Sequence, residues 1–205
     1  MPDTAPANWR AALIEYIRAE ARPVDKFSHQ PRLYRLAQEL AAESPCDDDV
    51  LFAAAWLHDL GVFIGHRPEN PEALARWDNV AYAMHCAPEV LTRLGFPGAK
   101  IPAVVEAIRA HLASAIPISP EGIVLRDADI LEQLGAAGVL RTASKVGRDT
   151  RFPTFAEAIA VLGRNLVTLP GQLRLAKARE LAEPRIQILR HFLEATAEEA
   201  GSVPW

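Results

Sequence analysis

The sequence predicts an all-α protein. Alanine and leucine dominate, apolar residues recur at helical spacing, and no stretch shows the apolar–polar alternation of a half-buried strand. Prolines fall mainly between the periodic segments or in their first turns, where a helix tolerates them. The 205 residues suffice for one large domain or two very small ones, and no linker-like segment divides them. We therefore expect a single domain over residues 1–205, with a core at about 25–135 and C-terminal helices at about 154–200 packed on it.

Nine helices are predicted, each from a capping residue, a proline in the first turn or the end of an apolar pattern. In chain order, they begin near Asn8, at Ser28, after the acidic residues 47–49, after the loop that ends at about Asn79, at Pro102, at Ser119, at the capping box of Thr154, after Pro170 and after Pro184. The fourth of them either starts or kinks near residues 85–88, because of Pro88. The second is expected to end at about Glu43 and the third at Gly61. Residues 62–79 form a predicted surface loop with room for a short helix after Pro71.

Charge and cysteine usage narrow the classes of function. A net charge of -4 and a pI near 5.9 argue against a nucleic-acid surface, although they allow a local basic pocket for one phosphate. Cys46 and Cys86 form no CxxC pair and are expected to be free thiols in a reducing compartment. With no signal-peptide pattern and no apolar run of about 18 residues, we expect a cytoplasmic protein without a membrane partner. The sequence does not determine the oligomeric state, and a homo-oligomer is one possibility.

Several ionisable residues lie on otherwise apolar helices. They are the pair His58-Asp59, which closes the apolar run 50–57, together with His29, His85, His111 and Asp129. A lone inward histidine is usually a hydrogen-bonded core residue, and bonds from His58 to free helix carbonyls would account for the pair alone. Four inward histidines and two aspartates are hard to satisfy pairwise, whereas imidazole and carboxylate are good ligands for divalent metals. The joint pattern predicts a metal site.

The ordered set His29, His58-Asp59 and Asp129 resembles the H…HD…D signature of the HD-domain superfamily of metal-dependent phosphohydrolases. The similarity covers about residues 9–195. It includes the segments around Phe27-Ser28-His29 and Trp56-Leu57-His58, and closing helices with Leu181-Ala182, Arg185 and His191-Phe192-Leu193. It implies a single-domain HD-type helical bundle with the metal site in its core.

By that resemblance, His29, His58, Asp59 and Asp129 bind a first divalent ion, and His58 and Asp59 are the catalytic pair. His85 and His111 match two additional histidines of dinuclear members, with Asp59 as the bridging carboxylate. Alternatively, these two histidines line a mononuclear pocket and bind the substrate phosphate. The number of ions is therefore one or two, and Mn, Fe, Mg, Zn and Co are not distinguished.

Asp127 competes with Asp129 for the ligand role. Residues two apart point to different helix faces, so only one of them should reach the metal. The sequence context of the family favours Asp129.

The resemblance implies hydrolysis of a small phosphate ester or nucleotide by a metal-activated water. Arg32, Arg109 and Arg126 are candidates for binding the substrate phosphate, because a guanidinium fork matches phosphate geometry. A solvated or structural role is the alternative for each of them. His66 and Arg67 belong either to a lid or to a plain surface loop.

Two other functions stay open at this point. A dinuclear iron oxygenase of the same superfamily would use the same six ligand positions. A non-catalytic module that binds a metal or a nucleotide is the third possibility. Some cyclic-dinucleotide phosphodiesterases of the superfamily carry a lysine soon after His-Asp and a Gly-Tyr-Pro motif. This sequence has Val62 after Gly61 and no Gly-Tyr-Pro, which argues against that activity.

Overall fold

A computed structural model describes residues 8–42, 44–148, 152–203 and 205. Over these residues the chain is helical, with one isolated bridge between Ile64 and Arg67 and no strand, so the predicted all-α class is confirmed. The α-helices within this part of the chain are α1 (Trp9–Glu20), α2 (His29–Ala41), α3 (Asp48–Leu57), α4 (Pro71–Ala75), α5 (Asn79–Arg93), α6 (Ile101–Ala110), α7 (Pro120–Glu132), α8 (Gly135–Ala143), α9 (Phe155–Thr168) and α10 (Ala176–Ala200). None of these helices combines the length and the apolar character that a bilayer span requires.

The chain divides after Arg126 into two compact units. In the first unit, α3 is the central element, because every residue from Val50 to Leu57 is buried. A helix that is apolar on all sides needs partners on all sides, and α1, α2 and α6 pack against α3. The partners α2 and α6 begin or end at predicted ligands, so the burial of α3 brings those ligands together.

Helix α3 begins where the sequence predicts and ends earlier. Asp47 is its N-cap and accepts hydrogen bonds from the backbone N–H groups of Asp49 and Val50. The predicted end at Gly61 is wrong, because α3 ends at Leu57 and a short 3-10 helix covers Leu60–Val62. Gly61 has a different role: a Cβ atom there would lie 2.4 Å from the carbonyl oxygen of Asn79, so only glycine allows this approach to the start of α5.

Of the two alternatives for the fourth predicted helix, a start near residues 85–88 is wrong, because α5 begins at Asn79. Asp78 caps it by accepting from the N–H groups of Val80 and Ala81, and Pro88 lies inside the helix. The sequence interpretation gave Pro88 too much weight and missed the Asx cap. His85 is consequently an interior residue of α5.

The second unit consists of the end of α7, helices α8 and α9, and α10, which packs against both α8 and α9. The capping box of Thr154 and Glu157 is confirmed at the start of α9. The predicted break at Pro184 is wrong, since α10 continues through it. Helix α8 was not predicted, because Gly135 and Gly138 suggest a loop; a Cβ atom at Gly138 would lie 2.2 Å from the Gln133 carbonyl oxygen.

Ion pairs hold the N-terminal end of α3. Arg10 on α1 bonds to Asp49 at 2.6 Å and Lys100, just before α6, bonds to the same carboxylate at 2.7 Å. These bonds from Arg10 and Lys100 hold the pKa of Asp49 below its ordinary value of 3.8. The acidic residues that favour the helix N-terminus thus also tie α1 and the start of α6 to α3.

Replacing Asp49 with Asn should therefore lower stability in a pH-dependent way. A carboxyl group with a depressed folded-state pKa stabilises the fold above its unfolded pKa, and this contribution disappears as the pH falls through the folded pKa. For a partly exposed pair we expect a loss of up to about 1 kcal/mol near neutral pH, which disappears as the pH falls through the lowered folded-state pKa of Asp49. Urea unfolding at a series of pH values measures it, with exposed Glu39→Gln as the control. A loss that is equal at every pH would contradict the ion-pair explanation.

Candidate metal centre

His29, His58 and Asp59 form a compact cluster in the first unit. His29 is the first residue of α2, His58 is the C-cap of α3, and Asp59 follows it. The two histidine Nε2 atoms are 3.2 Å apart, and Asp59 Oδ2 lies 3.7 Å from that of His29 and 3.6 Å from that of His58. The histidines are buried, and the Asp59 side chain is 20% exposed, so solvent reaches the cluster at the carboxylate.

The geometry of this cluster fits a divalent cation. The three ligand atoms define a nearly equilateral triangle with sides of 3.2, 3.6 and 3.7 Å. A point equidistant from them lies about 2 Å from each, which is the length of a bond from zinc to imidazole or carboxylate. Within the described residues, this is the group of ligand-type side chains whose atoms all lie within 4.8 Å of one another. Two imidazoles and one carboxylate suit zinc, iron or manganese.

A second bond fixes which nitrogen of His58 faces the cluster. His58 Nδ1 lies 3.0 Å from the carbonyl oxygen of Ala55, three residues earlier on α3. A carbonyl oxygen only accepts, so Nδ1 carries the proton and donates it. In the neutral ring, Nε2 then keeps its lone pair and points toward His29 and Asp59, as a metal ligand requires.

His111 repeats this arrangement at the end of α6. It is the C-cap, it is buried, and its Nδ1–H donates to the carbonyl oxygen of Ile108 at 2.6 Å. Its ring packs edge-on against that of His58, with centroids 4.9 Å apart. His111 thus lies next to the cluster, as the sequence analysis expected of an additional histidine.

His85 does not follow the expectation of an inward side chain. It is exposed on α5, whose buried face consists of Val80, Ala83, Ala87, Val90 and Leu91. The ligand group found in the described part of the chain does not include it. The predicted inward orientation was wrong, because the buried residues of α5 lie on a face of the helix that His85 does not share. A role of His85 as a metal ligand stays a prediction.

The two aspartates of α7 have different partners in the second unit. Asp127 is fully buried and accepts hydrogen bonds from the backbone N–H groups of Arg174 and Leu175, both at 2.8 Å. It thereby anchors the two residues that precede α10. Asp129 accepts from the side chain of Gln133 at 3.0 Å, and Arg141 lies 3.6 Å from its other oxygen. The ligand role of Asp129 stays a prediction.

The three candidate arginines have distinct surroundings. Arg32 lies one turn after His29 and donates to Ser28 Oγ at 3.0 Å, so Ser28 accepts this bond instead of capping α2 with its side chain. Arg109 is exposed and forms an ion pair with Glu106 at 3.1 Å. Arg126 is buried and donates to the carbonyl oxygen of Ala113 at 2.6 Å, which is a structural bond.

His66 is bonded on both sides. Its Nε2 lies 2.8 Å from a carboxylate oxygen of Glu20, and its Nδ1 lies 2.9 Å from the hydroxyl oxygen of Tyr82. Burial raises the pKa of Tyr82 to about 12, so its hydroxyl keeps its proton. These bonds attach the loop to α1 and α5, which supports a structural role for His66.

Sequence reasoning missed Arg141, which lies beside the predicted ligand Asp129. It lies on α8, which was not predicted and which contains two glycines, residues of low helix propensity. The apolar periodicity from residue 134 onward, with Arg141 and Lys145 four residues apart, was the available signal.

Comparisons with known proteins agree with this arrangement. The profile of the HD domain matches residues 27–134, which is more than half of the chain. A predicted HD superfamily hydrolase from an uncultured Thermotogales bacterium is 26% identical, with 93% of this chain and 92% of that chain covered and a TM-score of 0.64. Bacillus subtilis YpgQ, solved in complex with ADP, is 22% identical, with coverages of 95% and 96% and a TM-score of 0.70.

Lin1889 from Listeria innocua is 17% identical, with coverages of 97% and 98% and a TM-score of 0.70. At these lower identities the likeness to YpgQ and Lin1889 concerns the fold alone. No curated protein matches the chain significantly in sequence.

The ring tautomers give a direct test of the cluster geometry. We expect ¹⁵N–¹H correlation spectra to show Nδ1–H rings for His58 and His111, because each donates to a carbonyl oxygen. His66 is the internal control and should show the opposite tautomer, since its Nε2 donates to Glu20. An Nε2–H ring at His58 in the metal-free protein would contradict the proposed orientation.

Proposed function

Because the chain belongs to the HD domain family, we propose that it is a metal-dependent phosphohydrolase acting on a small phosphate ester or nucleotide. The observation that carries the proposal is the triangle of His29 Nε2, His58 Nε2 and Asp59 Oδ2. Its size and donor set fit one divalent cation. HD superfamily hydrolases occur among the structural neighbours, which supports hydrolysis as the general class.

The chain's own residues hold and orient the centre. The bond from His58 Nδ1 to Ala55 fixes one imidazole, and α2 presents His29 from its first turn. Asp59 supplies the carboxylate on the solvent-accessible side, where substrate and water approach. A divalent cation in this position supplies Lewis acidity, which makes water nucleophilic at neutral pH and offsets charge on phosphoryl oxygens.

A phosphorylated substrate needs cationic side chains in addition. Two carboxylate ligands, Asp59 and the predicted ligand Asp129, balance the charge of one divalent ion, and the chain as a whole carries a net charge of -4. Arg32, half-buried one turn after His29, is the candidate in the first unit whose position best supports this role. ADP in the YpgQ crystal is a property of that protein, and it makes nucleotides the first substrates to test.

Replacing His58 with Ala should abolish tight metal binding. The variant loses one of the three ligand atoms, and because replacing an outer partner of a ligand already costs 10–100-fold, we expect the Kd for Zn²⁺ or Mn²⁺ to rise by about 100-fold or more. Wild-type protein at a metal concentration of 100 Kd should gain about 2.7 kcal/mol in stability, and the variant should not. Calorimetric titration and thermal unfolding measure both effects.

The matched control for His58→Ala is His191→Ala, since His191 is exposed on α10. It should bind metal as the wild type does. Equal metal affinity in the wild type and in His58→Ala would reject the cluster as the metal centre.

The reaction class is tested without oxygen. We expect protein loaded with Mn²⁺, Mg²⁺ or Fe²⁺ under anaerobic conditions to release phosphate or pyrophosphate from nucleotides or generic phosphate esters, and His58→Ala to lose this activity. Turnover only with iron and dioxygen, with stoichiometric oxygen uptake, would assign an oxygenase. Metal and nucleotide binding with no turnover under either condition would assign a non-catalytic module.

A further inference from the structure

A separate cavity lies within the second unit, between the end of α7, helix α8 and helix α9. Its volume is about 170 Å³, well above the roughly 10–15 Å³ that is needed to hold a single water molecule. This space suits a phosphate or diphosphate group. The side chains that determine its chemistry are Glu132, Arg141, Thr142, Lys145, Phe152 and Asn165.

Two cationic side chains line this cavity from one side. Arg141 and Lys145 are four residues apart, and the N–H of Lys145 bonds to the carbonyl oxygen of Thr142, so the helical turn carries both toward the same face. The guanidinium of Arg141 lies 3.6 Å from Asp129 and 4.0 Å from Glu132. The ammonium of Lys145 lies 5.5 Å from the centre of the Phe152 ring. These contacts place both charges at the wall of the cavity.

The remaining lining suits an oxyanion with an apolar neighbour. Thr142 offers a hydroxyl and Asn165 an amide, both of which donate hydrogen bonds. Phe152 and Val161 form an apolar wall. An arginine fork beside a lysine is the combination that proteins use for phosphate, because the fork gives directed bonds and the ammonium a point charge.

We propose that this cavity is a binding site for a phosphate or diphosphate group, with Arg141 and Lys145 as its cationic ligands. The proposal goes beyond the proposed phosphohydrolase function, since it places an oxyanion site within the second unit that does not require the metal centre. Arg141 also contacts Asp129, so the phosphate position and the predicted metal ligand share one side chain.

The charges in the cavity give a test with effects of opposite sign. Inorganic pyrophosphate is titrated calorimetrically into the protein in metal-free buffer at low ionic strength. Arg141→Gln should weaken binding by about 10- to 100-fold and Lys145→Gln by about 10-fold, as the loss of a charged hydrogen-bond donor predicts. Glu132→Gln removes a buried negative charge next to the site and should tighten binding several-fold.

Arg148→Gln is the matched control. It removes a positive charge three residues beyond Lys145, from an exposed arginine that bonds to the carbonyl oxygen of Ser144 and does not line the cavity. It should change the Kd less than twofold. Thermal unfolding checks that each variant is folded, and Arg141→Lys, which keeps the charge without the fork, replaces Arg141→Gln if the latter does not fold.

Absence of pyrophosphate binding by the wild type, or an unchanged Kd in the Arg141 variant, would overturn the proposal. Either result leaves the metal centre and its hydrolysis assay unaffected, because binding is measured without metal. Conversely, a metal-loaded protein that hydrolyses no phosphate ester would reject the proposed function, while the opposite shifts of Arg141→Gln and Glu132→Gln would still identify an oxyanion site.

Discussion

The bond from a C-cap histidine to a carbonyl of its own helix is the interaction on which the candidate site depends. The last carbonyl oxygens of a helix lack the regular N–H partner four residues later, and His58 and His111 each donate to one of these oxygens through Nδ1. The same bond fixes the tautomer, so that Nε2 faces the cluster. One imidazole ring can therefore cap its helix through Nδ1 and bind a metal through Nε2. The two roles that the sequence suggests for His58 do not exclude each other. The bond to the helix carbonyl also restricts the motion of the imidazole ring, so that the ligand atom Nε2 keeps one orientation.

Helix α3 converts this local bond into a site. Its eight consecutive buried residues require neighbours on every side, and those neighbours include α2, which begins at His29, and α6, which ends before His111. The N-terminal end of α3 is held by Arg10 and Lys100, while its C-terminal end carries His58 and Asp59. Hydrophobic burial sets the approach of the helices, ion pairs set the axial position of α3, and the ligands meet where the helices end. A polar cluster can persist in such a core because its groups are mutually satisfied.

The sequence predicted the elements whose signals are local and strong. At the helix start near Asn8, at the acidic start of α3 and at the capping box of α9, a side chain accepts a hydrogen bond from a backbone N–H group. The first-turn proline of α6 lies where a helix needs no N–H donor. Failures arose where proline or glycine served tertiary packing. Pro88 and Pro184 lie inside continuous helices, and Gly138 allows a close backbone approach instead of forming a loop. The cluster of His29, His58 and Asp59 was predictable because each lies at the end of an apolar pattern. The face of His85 was mispredicted, because the buried residues of α5 lie on another side of the helix than His85.

The acidic residues of α7 show why spacing alone does not assign a ligand. Asp127, Asp129 and Glu132 are all buried, so each needs compensation. Asp127 accepts from two backbone N–H groups just before α10. These groups would lose their acceptor if the carboxylate turned toward an ion. Asp129 is contacted by the side chains of Gln133 and Arg141, which can reorient when a cation arrives. A carboxylate that becomes a metal ligand has to exchange its partners at low cost. A carboxylate that anchors backbone N–H groups has to keep them. The different partners therefore favour Asp129 as the ligand for a physical reason that is independent of any sequence motif.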